Sequence, residues 1–119
     1  MGPLLVTQLL KDQLVAGSKV ALITSRMGSM TDNTSGGYYG YRMSKAALNM
    51  AGVSLAHDLK PAGIAVGLFH PGYVQTEMVN YGGDVSAQEA SARIIQRINQ
   101  LTLADSGSFY HANGEILPW

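Results

Sequence analysis

A chain of 119 residues is long enough for one small domain and too short for two. Apolar residues make up 46% and charged residues only 13%, so a real core can form, and the low charge points to surface that rests against other protein. Eight basic and eight acidic side chains cancel, leaving no basic stripe for nucleic acid, and the lack of cysteine excludes disulfides and thiolate metal sites and suits a cytoplasmic protein.

From Gly2 to Val15 the apolar residues fall at helical spacing, with Pro3 in the first turn and Gly17 at the end, which predicts a helix over 2–15. Within it the apolar run Leu4 to Leu10 is interrupted by Thr7 and Gln8 and has no basic flank. It reads neither as a signal peptide nor as a membrane span. Lys19 to Thr24 then reads as a short buried strand, of the parallel kind.

A polar, glycine-rich loop from Ser25 to Gly37 leads into a long helix over 38–59, rich in small residues such as Ala46, Ala47, Ala51 and Gly52. Lys60-Pro61-Ala62-Gly63 stops that helix, since proline cannot continue it and glycine takes the left-handed cap. Ile64 to Phe69 is a second apolar strand, ended by His70-Pro71-Gly72. Ser86-Ala87-Gln88-Glu89 has the form of a capping box, and Ala90, Ile94, Ile98 and Leu101 line one face of the helix behind it. Gly107 to His111 reads as a last strand, closing at Asn113-Gly114.

Helices and strands that alternate at these lengths predict a parallel α/β sheet with right-handed crossovers, with all of residues 1–119 in one domain. In such sheets chemistry collects at the carboxyl ends of the strands, where Ser25 and Pro71-Gly72 fall. Tyr41 and Lys45, four apart on the long helix, share one face. A phenol with a pKa near ~10 is a poor base at neutral pH, but an ammonium one turn away favours the phenolate. The pair therefore fits a general acid/base, and equally a solvated surface pair.

Ser25, with Gly28 three residues on, offers a hydroxyl to a carbonyl oxygen in the cleft, or one that bonds its own loop. Ser29 is a close competitor by position. The turn after the second strand lets backbone approach a flat ligand, with Thr76 adding a hydroxyl and an N–H for an amide, or it simply ends the strand. The three histidines, His57, His70 and His111, are widely spaced without a carboxylate pattern, so no metal site is expected.

Three phrases in order, Val20 to Ser29 (VALITSRMGS), Tyr41 to Asn49 (YRMSKAALN) and His70 to Met78 (HPGYVQTEM), closely resemble the short-chain dehydrogenase/reductase family. The Ser-Arg-Met-Gly-Ser phrase and the Gly-x-x-x-Pro-Trp ending, Gly114 to Trp119, are most similar to its C-factor and carbonyl-reductase-like members. The resemblance implies the C-terminal half of a Rossmann-like, doubly wound parallel sheet, ordered helix, strand, helix, strand, helix, strand. The family's Thr-Gly-x-x-x-Gly-x-Gly phosphate loop, the ribose selector and the catalytic asparagine would lie upstream of Met1, leaving the dinucleotide-binding half absent and the first strand an open edge.

By resemblance the chain carries an NAD(P)-dependent oxidoreductase site, with NAD or NADP as cofactor, NADP slightly favoured, and a small carbonyl compound or alcohol as substrate. Tyr41 would be the general acid/base and would also contact the cofactor, Lys45 would support it and bind the nicotinamide ribose, and Ser25 would orient the substrate carbonyl. Pro71, Gly72, Val74 and Thr76 would border the nicotinamide, and Glu77 to Asp84 would form a substrate lid. Met27, Met30, Tyr38, Tyr39, Tyr73 and Met78 would line an apolar cleft. Neither nucleic acid nor membrane is expected as a partner, and the helices at 2–15 and 38–59 would pair between subunits of a homo-oligomer. The alternative is a truncated, inactive segment that serves only as an association module.

Overall fold

The computed structural model describes residues 2–72, 74–75 and 85–119. Its helices are α1 (Gly2–Leu10), α2 (Tyr39–Leu59) and α3 (Ala87–Gln100). Its strands are β1 (Lys19–Ile23), β2 (Ala65–His70), β3 (Val74–Gln75), β4 (Val85–Ser86) and β5 (Ser108–His111). The main sheet runs β1-β2-β5, with both pairings parallel, Ala21 opposite Gly67 and His70 opposite His111. The predicted alternation and parallel sheet are therefore present, with strand ends shifted by one residue.

The sheet is covered on both faces. On one, Leu22, Val66, Leu68 and Phe109 are buried with Ala56 and Leu117, and Leu48, Leu55 and Leu59 of α2 pack against them. On the other, Phe69 and Ala112 are buried with Ile94 of α3, beside Ala21, Ile98 and Tyr110. Fully burying Val66, Leu68, Phe69 and Phe109 contributes about 1.5–3 kcal/mol each. The N-cap half of the expected capping box is present, with the Ser86 hydroxyl accepting the Glu89 N–H at 3.1 Å.

The first helix is shorter than its apolar spacing predicts. It ends at Leu10, a single 3-10 turn covers Lys11–Gln13, and Leu14 is extended. The reason is local competition: the Ser18 hydroxyl accepts the Val15 N–H at 3.0 Å and the Gly17 N–H reaches the Gly63 carbonyl at 2.9 Å, so the chain turns towards β1. The sequence reading also left out β3 and β4, a parallel pair with Val74 opposite Val85. Beyond β5 the chain turns at Asn113-Gly114 and returns antiparallel, with Tyr110 bridged to Ile116 and Trp119 stacked on Phe109 at 5.3 Å. This return covers the outer edge of β5, whereas β1 has no neighbour on its other side among the described residues.

Thr24, just past β1, donates its hydroxyl to Asn49 Oδ1 of α2 at 2.7 Å, and both side chains are buried. Thr24→Val should destabilise the chain by about 1–3 kcal/mol, because it strands a buried amide oxygen. Thr24→Val with Asn49→Leu should cost less than the two single changes summed, as read from urea midpoints. Additive losses would show that the pair does not act as a unit.

Candidate active site

The site is assembled at the carboxyl end of β1. Ser25 is extended and caps a 3-10 turn, Arg26–Gly28, accepting the Met27 N–H on its Oγ at 3.1 Å. The loop-bonding alternative is thus realised, but only through the oxygen. An oxygen that accepts an N–H keeps its own proton, so the Ser25 hydroxyl remains a donor to a further group. Ser25 is buried, and Ser29 even more so, with its oxygen turned to the Asp32 N–H at 3.1 Å.

The turn is pressed onto α2. A Cβ at Gly28 would lie 2.8 Å from the Lys45 carbonyl carbon and 3.0 Å from the Ala46 nitrogen. Two of the three obstacles are backbone, the third being Asn49 Nδ2 at 2.9 Å, so only glycine lets the turn come this close. That approach brings the Ser25 turn to the stretch of helix that carries Lys45, one turn on from Tyr41. On α2 the Lys45 ammonium lies 5.7 Å from the centre of the Tyr41 ring, within cation–π range, and Tyr41 is 47% exposed. The two side chains share a face as their spacing predicts.

Arg42, which the sequence reading passed over, secures the entry to α2. Its guanidinium donates to the Gly37 carbonyl at 3.0 Å, the Ser35 hydroxyl at 3.2 Å and the Met27 carbonyl at 3.4 Å. It thereby ties the Ser25 turn to a loop in which Tyr38 itself is held left-handed, at φ 53°. Asn49 was likewise missed as a structural tie. Its signal in the sequence is a polar residue on the buried face of a helix. Met27, Met30 and Met43 line a hollow of about 250 Å³ with Arg42 and Asn33, while Tyr38 and Tyr39 are exposed.

At the end of β2, Gly72 is left-handed at φ 88°, and Pro71 borders an apolar hollow of about 450 Å³ lined by Ile23, Ala90, Ile94 and Ile95. Tyr73, Thr76 and the expected lid from Glu77 to Asp84, Met78 included, lie outside the described residues, and Val74 is described only as backbone of β3. Among the described residues no group of three or more histidine, cysteine or acidic residues could hold a metal, and no helix is long and apolar enough to cross a membrane.

Two histidines close this edge. His70 Nδ1 accepts the Arg26 N–H at 3.2 Å, and His111 Nδ1 accepts the Asn113 N–H at 3.0 Å. Their rings meet edge-on, with centres 5.1 Å apart. Burial, with His111 and Arg26 nearby, lowers the His70 pKa to about 4, against a smaller opposing pull from Asp32. Burial and Arg26 lower that of His111 as well, with Glu115 opposing and Arg93 adding to the shift. Arg26 in turn pairs with Asp32 at 2.8 Å.

The family model for short chain dehydrogenase matches residues 1–99. The chain belongs to the short-chain dehydrogenase family. It is 43% identical over its whole length to 1-hydroxy-2-glutathionyl-2-methyl-3-butene dehydrogenase of a Rhodococcus species, covering 54% of that protein. It is 44% identical to C-signal of Myxococcus xanthus, again over its whole length, covering 73% of it. The carbonyl reductase Sniffer of D. melanogaster superposes with a TM-score of 0.86 at 30% identity over 98% of this chain, which spans 52% of that one. An NADPH-bound carbonyl reductase from chicken fatty liver gives the same TM-score at 28% identity, with 98% and 52% covered. The chain therefore spans about half the length of several relatives it matches.

Protonation of His70 should be visible in stability. The unfolded imidazole takes a proton near 6.5 and the folded one near 4, so between these values the unfolded chain binds more protons. The stabilisation is complete above 6.5 and is lost as pH falls towards 4. With solvent screening of a partly exposed ring, urea unfolding should show a loss of about 1–2 kcal/mol from this group between about pH 7 and pH 4.5. His70→Asn should flatten that slope, and a slope equal to the parent's would show that another group titrates.

Proposed function

We propose that this chain is the catalytic half of an NAD(P)-dependent oxidoreductase that interconverts a carbonyl and an alcohol. The observation that carries this reading is the close packing of Gly28 on α2, which brings the Ser25 turn against the helix of Tyr41 and Lys45. In the reducing direction the Tyr41 hydroxyl gives its proton to the carbonyl oxygen as hydride reaches the carbonyl carbon. In the oxidising direction the phenolate takes the alcohol proton. Lys45, held over the ring, stabilises the phenolate by charge and is the candidate to bind the nicotinamide ribose. Ser25, with Oγ occupied as an acceptor by Met27, donates its proton to the same carbonyl oxygen and stabilises charge developing there.

The nicotinamide end of the cofactor fits what is present. The hollow beside Pro71 is apolar and open enough for a flat ring, and the chain turns left-handed at Gly72, the next residue. Val74 and Thr76 complete the proposed border. When bound, the nicotinamide supplies or accepts the hydride. NADP is favoured over NAD, in keeping with the NADPH-bound relative. Met27 and Met30 suit an apolar or aromatic carbonyl substrate.

Titrating the purified chain with NADPH and NADH, followed by nicotinamide fluorescence, tests the reading. Saturable binding is expected, and no binding at millimolar cofactor would overturn it for this chain. In an active preparation, Tyr41→Phe should lower kcat by about 10²–10⁴-fold with the fold intact. Retained turnover would remove Tyr41 from its role.

A second reading, an association module without activity, draws on the apolar surface of the first two helices. Leu5, Val6 and Leu9 of α1 and Met43 and Met50 of α2 are all more than half exposed. Both readings include pairing of α1 and α2 between copies, so light scattering after size exclusion should give a dimer or larger assembly. A clean monomer would count against that pairing, and the cofactor titration separates the two readings.

A further inference from the structure

The amides at the start of the Arg26–Gly28 turn need acceptors, because a helical turn leaves its first N–H groups free. Ser25 Oγ takes that of Met27, and the acceptor for Arg26 comes from another strand, as His70 Nδ1 at the end of β2. A nitrogen that accepts cannot carry a proton, so neutral His70 has its proton on Nε2. His111, the register neighbour of His70 on β5, packs edge-on against it and is itself fixed through Nδ1 by the Asn113 N–H. His111 also comes close to Gly72, since its Cε1 and Nε2 lie 3.4 and 3.7 Å from where a Cβ there would sit.

We propose that His70 is a positioning residue for Ser25, and that His70 and His111 together form a strut that sets the Ser25 turn at a fixed distance from the Pro71-Gly72 turn. The inference rests on the reading of Ser25 as the donor to the substrate carbonyl and of Pro71-Gly72 as the border of the nicotinamide. Hydride transfer needs the carbonyl carbon held at a set distance from the ring, and the strut joins the two turns that hold them. A side chain in this place needs an acceptor at the Nδ1 position and bulk enough to meet the His111 edge. Asparagine can supply the acceptor, since its Oδ1 sits where Nδ1 does. Glutamine cannot, because its carbonyl reaches to the Nε2 position.

The test uses NMR on the ¹⁵N-labelled 119-residue chain and does not depend on turnover. A long-range ¹H–¹⁵N spectrum of the parent should show His70 with an unprotonated Nδ1 at neutral pH, and a proton on Nδ1 would overturn the proposal outright. Amide exchange at Arg26 and Met27 should be slow in the parent and in His70→Asn, and at least about tenfold faster in His70→Gln. Amides in β2 and α2 should be equally protected in both variants, which a general loss of stability would not allow. Equal exchange at Arg26 in the Asn and Gln variants would overturn the proposal. If His70→Gln does not fold, the tautomer in the parent and the rescue by asparagine still decide it. Failure of the Ser25 role is read separately, by unchanged turnover in Ser25→Ala, which leaves these NMR outcomes where they are.

Discussion

Gly28 meets the backbone of α2 at Lys45 and Ala46 with no room for a side-chain carbon, and the arrangement of the site descends from that contact. Backbone packed on backbone cannot adjust as side chains do, so the contact fixes where the turn after β1 stands relative to the helix. Beneath it the Thr24–Asn49 bond locks the end of β1 to the buried face of α2. Above it Arg42 draws in the loop that enters the helix. Three ties to α2 thus converge on one short segment, and the residue that heads it is Ser25.

The same economy shapes the electrostatics of the strand ends. Arg26 carries a charge on the turn, pairs with Asp32, and uses its backbone N–H to reach His70. Burial, aided by the nearby cation, keeps the two imidazoles neutral, and neutral rings are what the accepting geometry requires. The edge of the sheet is thereby built from hydrogen bonds with fixed direction, not from charges that would rearrange with their surroundings.

The open surfaces of the domain are as informative as its core. β1 has no strand beside it among the described residues, and α1 turns most of its leucines outward. The unpaired side of β1 and the exposed apolar side chains of α1 and α2 are surface of the kind that protein contacts cover. This agrees with a chain that spans about half of several of its relatives. The low fraction of charged residues, already visible in composition, has its structural counterpart here.

What the sequence determined by itself was whatever depends on near neighbours. Alternating apolar runs set the order of helices and strands, the four-residue spacing put Tyr41 and Lys45 on one face, and Ser86 marked its helix start because a cap acts over three residues. The family phrases were legible for the same reason, being continuous in the chain. Tertiary structure decided the rest. It helped to shorten α1 through Gly63, whose carbonyl takes the Gly17 N–H from a distant turn. It also gave Gly28 and Asn49 their purpose and paired His70 with Arg26, 44 positions away. Each of these is a contact between segments far apart in sequence, and no periodicity encodes which buried donor will meet which acceptor until the sheet brings them together.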